Sequence, residues 1–362
     1  MKKFNVLQYL LELDESTIEI DLSNKSLLSV PDMSKFKNLQ KLNLFNNKII
    51  IIDNIPETLI ELNLKYNKLI EVSNLPNNLK ILNISHNNIT NIFDLPLNLE
   101  ILYCSNNKIK ELNNLPLSLK ELECSRNKII YLKNLPINLI QLKCGANKIF
   151  ILENLNNIEY LNCAYNKIIE IKCPNSLKHL YCHYNRLTLL ELPQNLEYCC
   201  CNNNYLSKLI IPPSLKFLEF DSNKFNELPI LNNNLTYLSC NNNNIKVIPN
   251  IVCKLIYLSF DNNNIIEINE LPNEIEYLSF SYNRIKNINN LPLNLNEFYC
   301  SNNLIEVLDN LPPNLIILSC SNNNINKIGI LPASLEELYI HNHQLSSSNI
   351  NELKLNVNLL YH

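Results

Sequence analysis

The 362-residue sequence has two glycines and no tryptophan. Gly145 and Gly329 are isolated, so no phosphate-cradling glycine loop can be built. No segment approaches the roughly 20 apolar residues of a membrane-spanning helix. Long runs of one charge are also missing, and the formal net charge is -3. A general nucleic-acid binder is thereby excluded, because counterion release requires a clustered cationic surface. Lys2 and Lys3 precede an apolar stretch, but Asn5, Gln8 and Glu12 interrupt it and no small-residue cleavage site follows. The thirteen cysteines are odd in number and come without an export signal, which favours free thiols in a reducing compartment over a disulfide framework. The expectation is a monomeric chain that remains in the cytoplasm and carries no cofactor.

What the sequence does contain is a repeat. Aligned to itself, it matches at a spacing of 20 residues, with the pattern LxxLxLxxNxI in each unit. Leu39, Leu42, Leu44, Asn47 and Ile49 recur as Leu59, Leu62, Leu64, Asn67 and Leu69, then as Leu79, Leu82, Ile84, Asn87 and Ile89. The second consensus position can be followed from Ile20 to Leu338 through about seventeen turns. Side chains alternate across a strand, so Leu42 and Leu44 are expected inward and Lys41, Asn43 and Phe45 outward. One such turn cannot bury its own apolar face, so stability must come from stacking.

On these residues the chain resembles the leucine-rich repeat family over nearly its whole length. The spacer KELNNLPLSLKEL, Lys110 to Leu122, is similar to the short LPxxLxxL repeat of bacterial type III secretion effectors. The Asn- and Ile-rich character is also similar to leucine-rich repeat proteins of amoebae and of the giant DNA viruses that infect them, the group favoured here. The resemblance implies an α/β-class horseshoe solenoid with a parallel concave sheet, which the repeat count puts at about seventeen strands. The recurring spacer prolines, such as Pro56, Pro76 and Pro96, should keep the convex side mostly extended or polyproline-like. The resemblance also implies a protein ligand on the concave face. Residues 1–16, with Phe4, Leu7, Leu10 and Leu11 at helical spacing, are assigned to an N-terminal cap, 17–345 to the repeats and 346–362 to a C-terminal cap or tail. Some effectors of this type carry a ubiquitin-ligase domain after the repeats, whereas here only a short tail follows Leu345. A non-enzymatic binding scaffold is therefore expected, with a substrate-recruiting adaptor in ubiquitination or host-cell manipulation as the alternative.

Three columns stand out within the repeat. The consensus Asn, from Asn47 to Asn323, is expected to satisfy backbone groups where the chain leaves the strand. Nine cysteines, from Cys104 to Cys320, replace the inward Leu of the third consensus position and should behave as small buried hydrophobes. In the run Cys199–Cys201 only Cys200 should face outward, with no base evident beside it. The third column is aromatic. Tyr160, His179, Tyr198, Phe217, Tyr237, Tyr257 and Tyr277 occupy the outward position before the second consensus residue in seven consecutive turns, and Tyr181 and His183 share the turn of His179. Aromatic residues are enriched at interface hot spots, so these nine residues are the candidate partner-binding site. The alternative is a stacked ladder that only stabilises neighbouring strands.

Candidate chemistry is sparse. His179 and His183 are about 13 Å apart along a strand, too far to chelate one ion easily. His341 and His343 lack an evident third ligand. Lys48, Lys68, Lys108, Lys128, Lys148, Lys167 and Arg186 follow the ladder Asn in a row, which reads as a solvated edge.

Overall fold

The computed structural model describes residues 5–53, 55–288 and 290–346, together with the backbone of 359–361. Phe4 and most of the 346–362 segment lie outside the described residues. The chain forms two compact units, Met1–Leu177 with Tyr184–Arg186, and Lys178–His183 with Leu187–His362.

Each unit is a solenoid of parallel three-residue strands. The first contains eight among the described residues, from Glu19–Asp21 to Tyr160–Asn162, each in register with the next: Lys41, Leu42 and Asn43 face Glu61, Leu62 and Asn63, for example. The second contains ten, from His179–Tyr181 to Leu359–Tyr361. All seventeen turns of the sequence pattern carry a strand at the expected place. Leu359–Tyr361 adds an eighteenth, paired with Glu337–Tyr339 inside the segment read as a cap or tail. The alternation holds as well, with Leu42, Leu62 and Leu82 essentially inaccessible while Lys41 is exposed.

Most spacers contain one tight turn, and several place a residue at positive φ ahead of it, such as Asn74 and Asn114 (both 54°). Where a proline opens that turn, its carbonyl accepts from the amide three residues on, which belongs to the first consensus Leu, as in Leu59 to Pro56 (3.2 Å) and Leu119 to Pro116 (3.1 Å). Proline suits this place because it has a free carbonyl and needs no partner for an N–H. Short two-residue ladders, such as Tyr131–Leu132 with Ile151–Leu152, tie some neighbouring spacers together. The N-terminal segment forms one helix, Val6–Glu12, whose start is capped by the Asn5 side chain accepting from the Gln8 amide at 3.3 Å. It buries Leu10 but leaves Leu7 and Leu11 exposed, so the apolar face expected from their spacing is only partly used.

The consensus Asn forms a zigzag of hydrogen bonds. Asn243 accepts the Phe225 amide on Oδ1 (3.1 Å) and donates through Nδ2 to the Phe220 carbonyl of the preceding turn and the Cys240 carbonyl of its own (both 3.2 Å). Cys240 in turn also accepts from Asn263 (3.0 Å). Where the repeat shortens from 20 to 19 residues the ladder continues unchanged, as in Ile168 to Asn185 and Leu206 to Asn223 (both 2.9 Å).

The residue just before each ladder Asn adopts positive φ, from Asn46 (52°) to Asn342 (51°), where it precedes His343. Glycine normally occupies such corners, but Asn tolerates them better than other L-residues, and this chain uses Asn at many of them. The pairs and runs of Asn therefore have a structural cause: Asn203 turns the corner and Asn204 feeds the ladder. Ala146 is exposed and sits at such a corner with φ 53°. Ala146→Asn is expected to stabilise the chain by about 0.5–1 kcal/mol, since it relieves left-handed strain without touching the core. An unchanged or lowered urea midpoint would contradict this.

Candidate protein-binding face

The outward face of the second unit carries most of the aromatic column. Parallel in-register pairing brings equivalent positions of adjacent turns to within stacking reach. Tyr198, Phe217, Tyr237, Tyr257 and Tyr277 accordingly form one continuous stack. Successive centroids are 4.1, 4.1, 4.1 and 4.3 Å apart, with interplanar angles of 9°, 13°, 7° and 8°. Each pair of this kind contributes roughly 0.5–1.5 kcal/mol beyond its area burial. The stack thus stabilises the face that it decorates.

Stacking also decides what the face can offer a ligand. The faces of the interior rings are covered by their neighbours, so their edges and, on the four tyrosines, their hydroxyls are what the stack leaves open. Burial pushes these phenols above their ordinary range, Tyr237 to about 12, and they remain neutral donors and acceptors at physiological pH. Tyr181 and His179 approach Tyr198 at tilts of 32° and 36°, with centroids 4.7 and 6.2 Å away, and so flank the stack without extending it. Tyr160 lies in the first unit, where the Lys143 ammonium sits 5.8 Å from its ring centroid. Sequence reasoning missed Tyr299, which closes the other end of the stack 5.4 Å from Tyr277 at a tilt of 38°.

A polar cluster borders the stack. Cys200 occupies an outward position, as expected, but is only 6% exposed. Its thiol donates to Glu219 Oε2 (3.2 Å) and lies 3.4 Å from His183 Nδ1, so a base does stand beside it, contrary to the sequence reading. Burial first, and then the Glu219 carboxylate, push the thiol well above its ordinary range, while burial lowers His183. The resting pair is a protonated thiol beside a neutral imidazole, not an activated nucleophile. Beyond it runs a chain of polar side chains. Asp221 accepts from the Ser239 hydroxyl (2.7 Å), Asn241 from the Ser259 hydroxyl (2.7 Å), and Asp261 from the Ser279 hydroxyl (2.6 Å).

No group of three or more His, Cys, Asp or Glu among the described residues is arranged to hold a metal ion. His341 shares a hydrogen bond with Ser321 (3.2 Å), while His343 accepts the Leu345 amide (3.1 Å), so the two rings serve different partners. The seven cations after the ladder Asn all lie exposed in the first unit.

No curated protein matches the sequence. The family model described as Leucine Rich Repeat matches residues 78–97 and 234–255. Among solved structures, YopM from Yersinia enterocolitica is 30% identical, with 92% of this chain and 80% of that chain covered and a TM-score of 0.82. YopM from Yersinia pestis, described as a leucine-rich effector protein, is 27% identical over 90% of this chain and 89% of that one, with a TM-score of 0.66. The functional domain of InlJ from Listeria monocytogenes, described as including a cysteine ladder, shares the fold at 23% identity and a TM-score of 0.56, with 75% of this chain and 69% of that chain covered. With the repeat, its parallel strands and a relative at this identity over nine-tenths of the length, the chain belongs to the leucine-rich repeat family.

Proposed function

We propose that the chain is a non-enzymatic scaffold that binds a protein partner through the strand face of its second unit, with Tyr198, Phe217, Tyr237, Tyr257 and Tyr277 at the centre. His179, Tyr181 and His183 lie at one border, and Tyr160 is a candidate contact on the strand face of the first unit. The observation that carries this reading is the stack itself, a row of half-buried rings left with open edges. Such rings give a large contact area at little entropic cost, because neighbours already hold them in place. A recruiting adaptor in the host cell is the second reading, favoured by the likeness to the Yersinia effector protein. Among the described residues no helix is long and apolar enough to cross a membrane.

The test compares proteins captured from amoebal lysate by the intact chain and by a Tyr198→Ala, Phe217→Ala, Tyr237→Ala variant, each shown by circular dichroism to be folded. Capture of a specific partner is expected to fall at least tenfold in the variant. An unchanged set of partners would reduce the stack to a stabilising ladder. An enzyme that co-purifies with the partner would favour the adaptor reading.

A further inference from the structure

The strand face of the second unit has a marked charge asymmetry. At the three outward positions of each turn from Tyr198 to His341 the sequence places no lysine and no arginine. The same positions carry five carboxylates: Glu219, Asp221, Asp261, Glu297 and Glu337. All five are half-buried, and none is held in an ion pair with a lysine or arginine among the described residues. Their partners are neutral. Glu297 and Glu337 accept from the hydroxyls of Tyr299 and Tyr339 (2.9 and 2.8 Å), and Glu219 accepts from Cys200 and from Asn202 (3.0 Å). Like charges also crowd one another, since Glu219 adds to the burial that raises Asp221.

The strand face of the first unit is built differently. There Lys41 pairs with Glu61 (3.7 Å) and Lys143 with Glu123 (3.9 Å), so carboxylates on the same kind of surface find cations within the chain. The strand face of the second unit keeps these carboxylates beside a rail of phenol hydroxyls and places no lysine or arginine at its outward positions.

Resting on the binding face proposed above, we infer that its occupant is a basic polypeptide segment whose lysine or arginine side chains meet these five carboxylates while its backbone and apolar carbons lie along the aromatic stack. Charge complementarity selects such a segment and repels a polyanion. Six strand intervals separate the turns of Glu219 and Glu337, about 29 Å along the sheet at the usual spacing of ~4.8 Å. An extended chain rising about 3.3 Å per residue covers that length in roughly nine residues.

The probe is a fluorescein-labelled nine-residue peptide alternating lysine and serine, titrated into the full chain and followed by anisotropy, with a glutamate and serine peptide as control. The lysine peptide alone should bind, and its Kd should rise at least tenfold between about 50 and 300 mM salt as screening shortens the range of the carboxylate field. A Glu219→Gln, Glu297→Gln, Glu337→Gln variant keeps the shape and one acceptor oxygen of each side chain while removing its charge, and is expected to weaken the peptide at least tenfold. Equal binding of both peptides, or an unchanged Kd in the variant, would overturn the inference. Its failure is separable from failure of the face itself. A lysate partner lost with the ring substitutions but indifferent to the glutamine variant keeps the face and refutes the basic segment. A partner indifferent to the ring substitutions refutes the face.

Discussion

Asn243→Leu is expected to destabilise the second unit by about 2–4 kcal/mol, although the side chains are similar in volume. Asn243 is 6% exposed, and four backbone groups bond to it: the Phe225 amide and the Phe220, Cys240 and Asn241 carbonyls. The cost is unequal among them. The Phe220 carbonyl retains Asn223 as a donor (3.0 Å) and the Cys240 carbonyl retains Asn263 (3.0 Å), so each loses one of two partners. The Phe225 amide loses the acceptor that Asn243 supplied, and an unsatisfied buried donor costs roughly 1–3 kcal/mol. Hydrogen exchange resolves the effect: the Phe225 amide should lose protection first, ahead of amides in distant turns. Asn243→Asp should be nearly as damaging at neutral pH, because its second oxygen would face three carbonyls. Acidification would restore one donor and part of the stability. If the urea midpoint of Asn243→Leu matched that of the intact chain, the ladder would be incidental to stability.

Phe280→Ala is expected to cost about 3–5 kcal/mol, the range for removing a fully buried aromatic ring. Phe280 is inaccessible and packs between Phe260, stacked at 5.8 Å, and Phe298, edge-on at 5.1 Å. These rings share the interior with the cysteine column. The inward position reads Cys201, Phe220, Cys240, Phe260, Phe280, Cys300 and Cys320 in successive turns, all of them buried. Small and large side chains thus complement each other along the array, and the protein cannot close a ring-sized void by collapse without disturbing the register of its strands. Phe280→Leu should lose far less, and a double Phe280→Ala, Cys300→Phe variant tests whether a neighbour can refill the space. A loss below about 1 kcal/mol for Phe280→Ala would show that the interior relaxes freely.

The strands were legible because a period of two is a local signal: Leu42 and Leu44 fall on one side regardless of what lies around them. The ladder was legible because buried amides must find partners and only one polar residue recurs at the right place. The positive-φ corner was not. In so Asn-rich a sequence the residue at the corner looks like composition, and Tyr66, Arg126 and Ala146 at equivalent places obscure the preference further. The aromatic column was visible as a column, but its stacking follows from ring orientation, which sequence does not specify. Tyr299 escaped notice because it stands two residues after Glu297 and reaches Tyr277 diagonally across turns. Cys200 was placed on the correct side of the strand, yet its neighbours come from adjacent turns at other positions, and no linear pattern joins His183, Cys200 and Glu219.

The shared bonding of the Asn zigzag has a consequence for how such a chain can change length. A ladder Asn satisfies a carbonyl in the preceding turn as well as one in its own, so within each unit the seams between turns that carry the ladder Asn are chemically alike. Turns of 19 and 20 residues join without altering it, because the spacer absorbs the difference. Duplication or deletion of one whole turn therefore recreates the ladder bonds at the new junction, whereas a gain or loss within the strand or its corner breaks several at once. Tandem copying of a segment of about twenty residues is the genetic event this architecture tolerates best, and it lengthens the strand face by one strand each time.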